Sequence, residues 1–135
     1  MSDVHAGSCL CGAVRFRIEG DFDAFFLCHC AHCRKDTGSA HAANLFSSSA
    51  RLIWLAGEAA VTSYQLPSTR HARSFCSVCG SALPHQAAGD PMLAVPAGSL
   101  DTALARKPNA HIFVSSRAAW DDGLEALPSF PTFPS

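Results

Sequence analysis

The sequence has no stretch dominated by charge of one sign. Lys and Arg number 10 against 11 Asp and Glu, a formal net charge of −1. A dedicated nucleic-acid binder normally carries a basic face, so no nucleic-acid partner is expected. No apolar run approaches the roughly 18 to 20 residues that cross a bilayer, so no membrane partner is expected either. The opening MSDVHAGSCLCGAV lacks a basic stretch followed by an apolar one, so no signal peptide is expected. A cytoplasmic location follows as the expectation. No internal repeat appears apart from cysteine pairs, and no linker is long enough to divide the chain. The 135 residues therefore read as one domain, 1–135. Charged residues make up only 16% and hydrophobic residues 48%, which is a folding rather than a disordered composition.

Cysteine is the residue in excess. Seven thiols in a reducing compartment are better explained by metal than by disulfides, and an odd number would leave one unpaired.

The rest of the chain reads as short strands. AVRFRIEG (residues 13–20) alternates, with Val14, Phe16 and Ile18 directed at a core and Arg15, Arg17 and Glu19 at water. AFFLC (24–28) reads as a buried strand. Further candidates are residues 41–46, 51–57, 60–66, 71–76, 91–100 and 111–116. Pro96 demotes the second half of the 91–100 run. Two places suggest helix. One is residues 31–38, a single turn ended by Gly38. The other is residues 100–108, capped by Asp101 or Thr102 and stopped by Pro108. The proline-rich tail LPSFPTFPS reads as extended. The fold class is mainly β.

The cysteines fall in three clusters: Cys9 and Cys11; Cys28, Cys30 and Cys33; Cys76 and Cys79. CSVCG is a C-x-x-C-G knuckle, whose spacing aims two sulfurs at one metal. CLCG is a C-x-C pair, and on an extended strand both of its side chains share a face. Two pairs supply four thiolates, the number that closes a tetrahedral zinc site. Cys28, Cys30 and Cys33 remain, and three protein ligands with one position open is the catalytic pattern. Two other partitions stay open. Cys30 and Cys33 form a C-x-x-C that could join Cys76 and Cys79. Alternatively, His29, His32 or His41 could close the middle cluster as a structural Cys3His site.

The order GSCLCGAVRF, CHCAHCRKDTGSA, FCSVCGSALP, HIFVSSRAAWDD and LPSFPTFP resembles the glutathione-dependent formaldehyde-activating enzyme family, which includes the centromere protein V group. The resemblance runs from Gly7 to Pro134. It implies a β-tent of small antiparallel sheets around zinc, with two Zn2+ per chain. It implies a structural zinc on Cys9, Cys11, Cys76 and Cys79, and a catalytic zinc on Cys28, Cys30 and Cys33. It also implies a carbon–sulfur lyase that interconverts formaldehyde, glutathione and S-(hydroxymethyl)glutathione. The expected partner is thus a small thiol or aldehyde, glutathione by resemblance. The competing reading is a non-catalytic zinc-binding interaction module.

Other residues carry weaker expectations. Alternation turns His29 away from the sulfurs, and His32 is expected to face solvent. Arg34, Lys35, Arg70 and Arg73 are candidates to meet substrate carboxylates. His41 and Asn44 are candidates to line a pocket. Trp54 and Tyr64 are expected in the core, and Trp120 docked on the sheet. No residue pattern in the sequence fixes the oligomeric state.

Overall fold

Alternation in RFRIE produces the central strand of the first sheet. The computed structural model describes residues 3–134. In it β2 (Arg15–Glu19) pairs antiparallel with β1 (Val4–Ser8) on one side and β5 (Arg51–Ala56) on the other. Phe16 and Ile18, with Val14 just before them, are wholly buried, as the pattern requires. The strand β1 has no signature in the sequence. Its inward positions are His5 and Gly7, so no apolar alternation marks it. Glycine at position 7 is a packing requirement, because a Cβ there would collide with the ring of Phe16.

A second sheet runs in the order β11-β3-β4-β10-β9, from Ala110–Ile112, Ala24–Cys28, Ala42–Ser47, Leu93–Pro96 and His85–Gln86. The third joins β6 (Val61–Gln65), β7 (Ala72–Cys76) and β8 (Ala82–Leu83). All the pairs are antiparallel except β11 with β3, which is parallel. The sheets are therefore antiparallel and mixed rather than purely antiparallel. Phe16, Ile18, Leu45, Leu83, Leu93 and Val95 from all three sheets meet in one apolar cluster. Burying each such side chain contributes on the order of 1.5–3 kcal/mol. Pro96 closes β10, and a 3-10 turn, Ala97–Ser99, follows it, consistent with its missing N–H.

The only α-helix among the described residues is α1, Ala31–Thr37. It is longer than the single turn expected, and Gly38 ends it in the left-handed conformation. The helix expected over residues 100–108 does not form. The Asp101 and Thr102 amides donate to the Ala6 carbonyl, and Thr102 Oγ1 accepts from the Ala6 amide. Arg106 donates to the Phe22 carbonyl. Bonds across the chain have replaced the local ladder, and Pro108 further biases its predecessor to extended backbone. Residues 111–116 give strand only to Ile112, because Phe113 at φ 56° turns the chain into a 3-10 turn.

Two aromatic expectations are corrected. Tyr64 lies on the edge strand β6 and is 52% exposed. Trp120 is 62% exposed rather than docked on a sheet. Trp54 does pack on the core, edge-on to Phe16 with ring centroids 6.0 Å apart.

Candidate metal centres

The C-x-C pair sits in a turn, not on an extended strand. Cys9 and Cys11 follow β1, and the Gly12 amide closes the turn on the Cys9 carbonyl at 3.1 Å. The C-x-x-C pair begins at the last residue of β7, Cys76, with the Gly80 amide 2.7 Å from the Cys76 carbonyl. Gly12 at φ 80° and Gly80 at φ 77° occupy the left-handed region that each turn needs. The two turns meet. Cys9 Sγ lies 3.6 Å from Cys11 Sγ, and Cys11 Sγ lies 4.0 Å from Cys76 Sγ. All four sulfurs lie within 4.8 Å of one another. Sulfurs at about 2.3 Å from a tetrahedral zinc stand roughly 3.8 Å apart, so the four-thiol set fits one ion.

Backbone and hydroxyl donors surround these sulfurs. The Val14 amide donates to Cys9 Sγ at 3.3 Å. Burial pushes the Cys9 thiol up, but Val14, Cys11 and Cys76 outweigh it, and the net direction is down. The Ser81 hydroxyl, at 3.3 Å, leads the causes that bring Cys79 down to about 5, with the Ser81 amide next. The Ser81 Oγ also accepts from the Leu10 amide at 2.8 Å, which fixes the hydroxyl beside the Cys79 sulfur. The Ala13 amide pulls Cys11 down, yet Cys9, burial and the other thiols raise it to about 11. A Cys11 thiol held at about 11 stays protonated near neutral pH unless a cation draws its thiolate in.

The middle cluster forms where β3 runs into α1. Cys28 ends the strand, Cys30 is the residue before the helix, and Cys33 lies in its first turn. Their sulfurs lie within 4.8 Å of one another. The Cys33 amide donates to Cys30 Sγ at 3.3 Å. Burial raises Cys28 and Cys33. Cys30 is pushed up by burial too, but the Cys33 amide and thiol and the Cys28 thiol bring it below its ordinary value. Cys30 is thus the thiol that ionises first. All seven cysteines are free, and the two clusters share no residue. The partition that joined Cys30 and Cys33 to Cys76 and Cys79 is not the one the fold assembles.

Cys33 also belongs to the wall of a cleft of about 840 Å³ between α1 and the second and third sheets. Asp36, Asn44, Arg70, His71 and Arg73 line it as well. Asp36 ties two of these. His71 Nε2 lies 2.7 Å from its Oδ2, and Arg73 Nε lies 3.3 Å from its Oδ1. Arg70 is exposed and has neither an ion pair nor a side-chain hydrogen bond among the described residues. Arg34 and Lys35 lie elsewhere, in a smaller groove beside Trp120, and Arg34 Nη1 donates to the Ser116 carbonyl at 3.0 Å. His32 is exposed, as expected. His29 is turned from the sulfurs but is fully buried. The expectation missed Asp36, because only the fold carries β7 past α1.

A mainly β domain with seven free thiols in two ligand clusters, one of them opening on a cleft that carries Asp36, Arg70 and Arg73, defines a candidate metalloprotein with thiolate ligands. The chain belongs to the glutathione-dependent formaldehyde-activating enzyme family, whose model matches residues 4–116. It is 35% identical to a protein of Halomonas elongata over 124 residues, covering 84% of this chain and 77% of that one. That protein is named, provisionally, as a glutathione-dependent formaldehyde-activating enzyme. A crystal structure of a Rhodobacter sphaeroides protein is similar with a TM-score of 0.56 and 28% identity. The similarity covers 78% of this chain and 98% of that one. No helix among the described residues is long and apolar enough to cross a membrane.

Proposed function

We propose that this chain is a cytoplasmic, zinc-dependent carbon–sulfur lyase that interconverts formaldehyde, glutathione and S-(hydroxymethyl)glutathione, acting as a single zinc-binding β-tent domain over residues 1–135. Two zinc ions complete it. Cys9, Cys11, Cys76 and Cys79 hold a structural one, and Cys28, Cys30 and Cys33 hold the catalytic one. The observation that carries this reading is the double membership of Cys33, in the three-thiol cluster and in the cleft wall.

A zinc ion at the middle site supplies Lewis acidity that stabilises an incoming thiol as thiolate, the nucleophilic form. The remaining work falls to the chain. Arg70, the cleft cation without a partner, binds a substrate carboxylate. Asp36 fixes Arg73 and His71, so these groups are held in place before substrate arrives. His71 Nε2 is engaged by Asp36, which leaves Nδ1 to accept the thiol proton and return one to the adduct oxygen. The reaction forms one C–S bond and moves one proton from sulfur to oxygen, and it needs no oxidant.

Formaldehyde and glutathione condense spontaneously, so the test reads acceleration at equilibrium. Exchange NMR on a mixture of glutathione, formaldehyde and adduct measures the interconversion rate. Wild-type protein should raise it well above the spontaneous rate, and Cys30→Ser should not, while keeping its circular dichroism and losing one of two zincs. Equal rates with and without wild-type protein sink the assignment. Unfolding of Cys30→Ser would make the middle site structural.

A further inference from the structure

Behind the three-thiol cluster lies a second set of ligand-type side chains that contains no sulfur. Because side chains alternate at the end of β3, His29 points away from Cys28 and Cys30 into the protein. There its Nε2 lies 2.8 Å from Nδ1 of His111, and its Nδ1 lies 3.3 Å from Oδ2 of Asp121. The His41 ring is 5.1 Å from the His29 ring, centroid to centroid. His29 and Asp121 are buried and His41 is half-buried. One ligand atom from each of the three lies within 4.8 Å of the others.

These groups come from three separate segments. His29 follows β3, and His41 directly precedes β4. Asp121 lies in the tail, held by buried Ala118, whose carbonyl accepts the Asp121 amide at 3.0 Å. Three of their polar atoms are buried without a hydrogen-bond partner among the described residues: Nδ1 of His29, Nδ1 of His41 and Oδ2 of Asp121. A buried polar atom left without a partner is destabilising. Three in one place is an arrangement that a single cation would satisfy at once.

The spacing agrees. The 3.3 Å approach of Asp121 to His29 lacks the alignment of a hydrogen bond. It matches the edge of a tetrahedron whose N and O ligands stand at about 2.0–2.1 Å, an edge of roughly 3.3–3.4 Å. The tautomer agrees too. A histidine that binds metal through Nδ1 has its proton on Nε2, and a ligating imidazole normally donates that proton to a neighbour. His111 Nδ1 is placed to accept it. His111 is exposed, so the cluster lies close to solvent.

One feature opposes a cation. Arg117 Nε is 3.6 Å from the same Asp121 oxygen. It offsets the carboxylate charge, and a simple tie between tail and body would use the same pair. Arg117 is 37% exposed at its side chain and free to swing outward, whereas His29 and Asp121 are not.

We propose that His29, His41 and Asp121 form a third metal site, for a divalent first-row transition ion, with two imidazoles, one carboxylate and no thiolate. It stands apart from both cysteine sites in ligands and in metal preference.

The test is Co2+ substitution of the full-length chain, refolded with Co2+ in place of zinc so that both thiolate sites are filled. Thiolate-bound Co2+ has an intense sulfur-to-metal charge-transfer band, and a site of nitrogen and oxygen has none. Wild type should bind one equivalent more than saturates that band. Asp121→Asn and His41→Gln should each lose that equivalent and keep the band and the circular dichroism. Arg117→Gln should tighten it, an effect that a tail tie would not produce. If metal content never exceeds what the thiolate band accounts for, the proposal is overturned. It is also overturned if both ligand variants fold and retain the full stoichiometry. Absence of the thiolate band would count against the cysteine sites alone, since the band-silent equivalent is measured separately.

Discussion

Cys11 and Cys76 are separated by 65 residues, and their Sγ atoms lie 4.0 Å apart. The first follows β1 and the second ends β7, so this contact joins the first sheet to the third. Both turns that carry the pairs are closed by their own glycine amides. Holding one zinc ion, as proposed, the four sulfurs would clasp these two sheets together.

Removing one of these sulfurs should therefore be a stability defect. Structural zinc sites contribute on the order of 10 kcal/mol to folding in small domains, comparable with the whole stability of a domain of this size, about 5–15 kcal/mol. Cys76→Ser, or chelation of the wild type, should abolish the near-ultraviolet circular dichroism at 25 °C. A cooperative native transition that survives in the variant would show that the clasp is dispensable.

The Ser81 hydroxyl should help that site keep its metal in acid. It is the leading cause of the Cys79 thiol lying at about 5. A metal binds the thiolate, so protons begin to compete at Cys79 only as pH falls toward that value. Ser81→Ala raises the thiol pKa, and metal should then be released at a higher pH. Metal release against pH, followed with a chelating dye, compares the two proteins. Coincident release curves would assign the serine no electrostatic role.

Arg70 should govern substrate affinity rather than turnover. It lines the cleft without an ion-pair partner among the described residues. A charge-assisted hydrogen bond contributes about 1.5–3 kcal/mol. Arg70 is exposed, so the low end applies, about tenfold in KM. Arg70→Ala should raise KM for glutathione by about that factor and leave kcat unchanged. An equal fall in kcat with KM constant would contradict a carboxylate-binding role.

His85 should make the fold acid-sensitive. Burial pushes it below its ordinary 6.5, and its Nδ1 is 2.8 Å from Ser74 Oγ. With the folded value depressed, the unfolded chain takes the proton first as pH falls. The contribution of His85 is therefore fully present above about 6.5 and is lost as pH falls through its lower folded value. Metal loss in acid affects every variant alike, so the difference between proteins is the readout. Urea midpoints of wild type and His85→Asn between pH 8 and 5 should converge on the acid side. A constant gap would mean that the imidazole charge plays no part.

Much of the candidate site was legible because metal ligation leaves a local signature. The two outer cysteine pairs are short turns, and their spacing and following glycine are written in consecutive residues; the middle cluster shows as C-x-C-x-x-C spacing alone. The strand β2 was legible for a similar reason, since period-two alternation is local. β1 was not, because a strand whose inward positions are His5 and Gly7 carries no apolar period. The residues 100–108 misled in the opposite direction. They satisfy the local rules for a helix, but Ala6 and Phe22, distant in sequence, take their donors.

The sequence by itself determined the mainly β class, the three thiol clusters and the orientation of His29 away from the sulfurs. The tertiary structure decided which clusters meet. It also decided that Cys33 faces a cleft while Arg34 and Lys35 do not, and that Asp36 restrains His71 and Arg73. It brought Asp121 to His29 from 92 positions away. Turn chemistry and alternation act over a few residues and can be read along the chain. Encounters between segments depend on how three sheets share one core, and no short stretch of sequence contains that information.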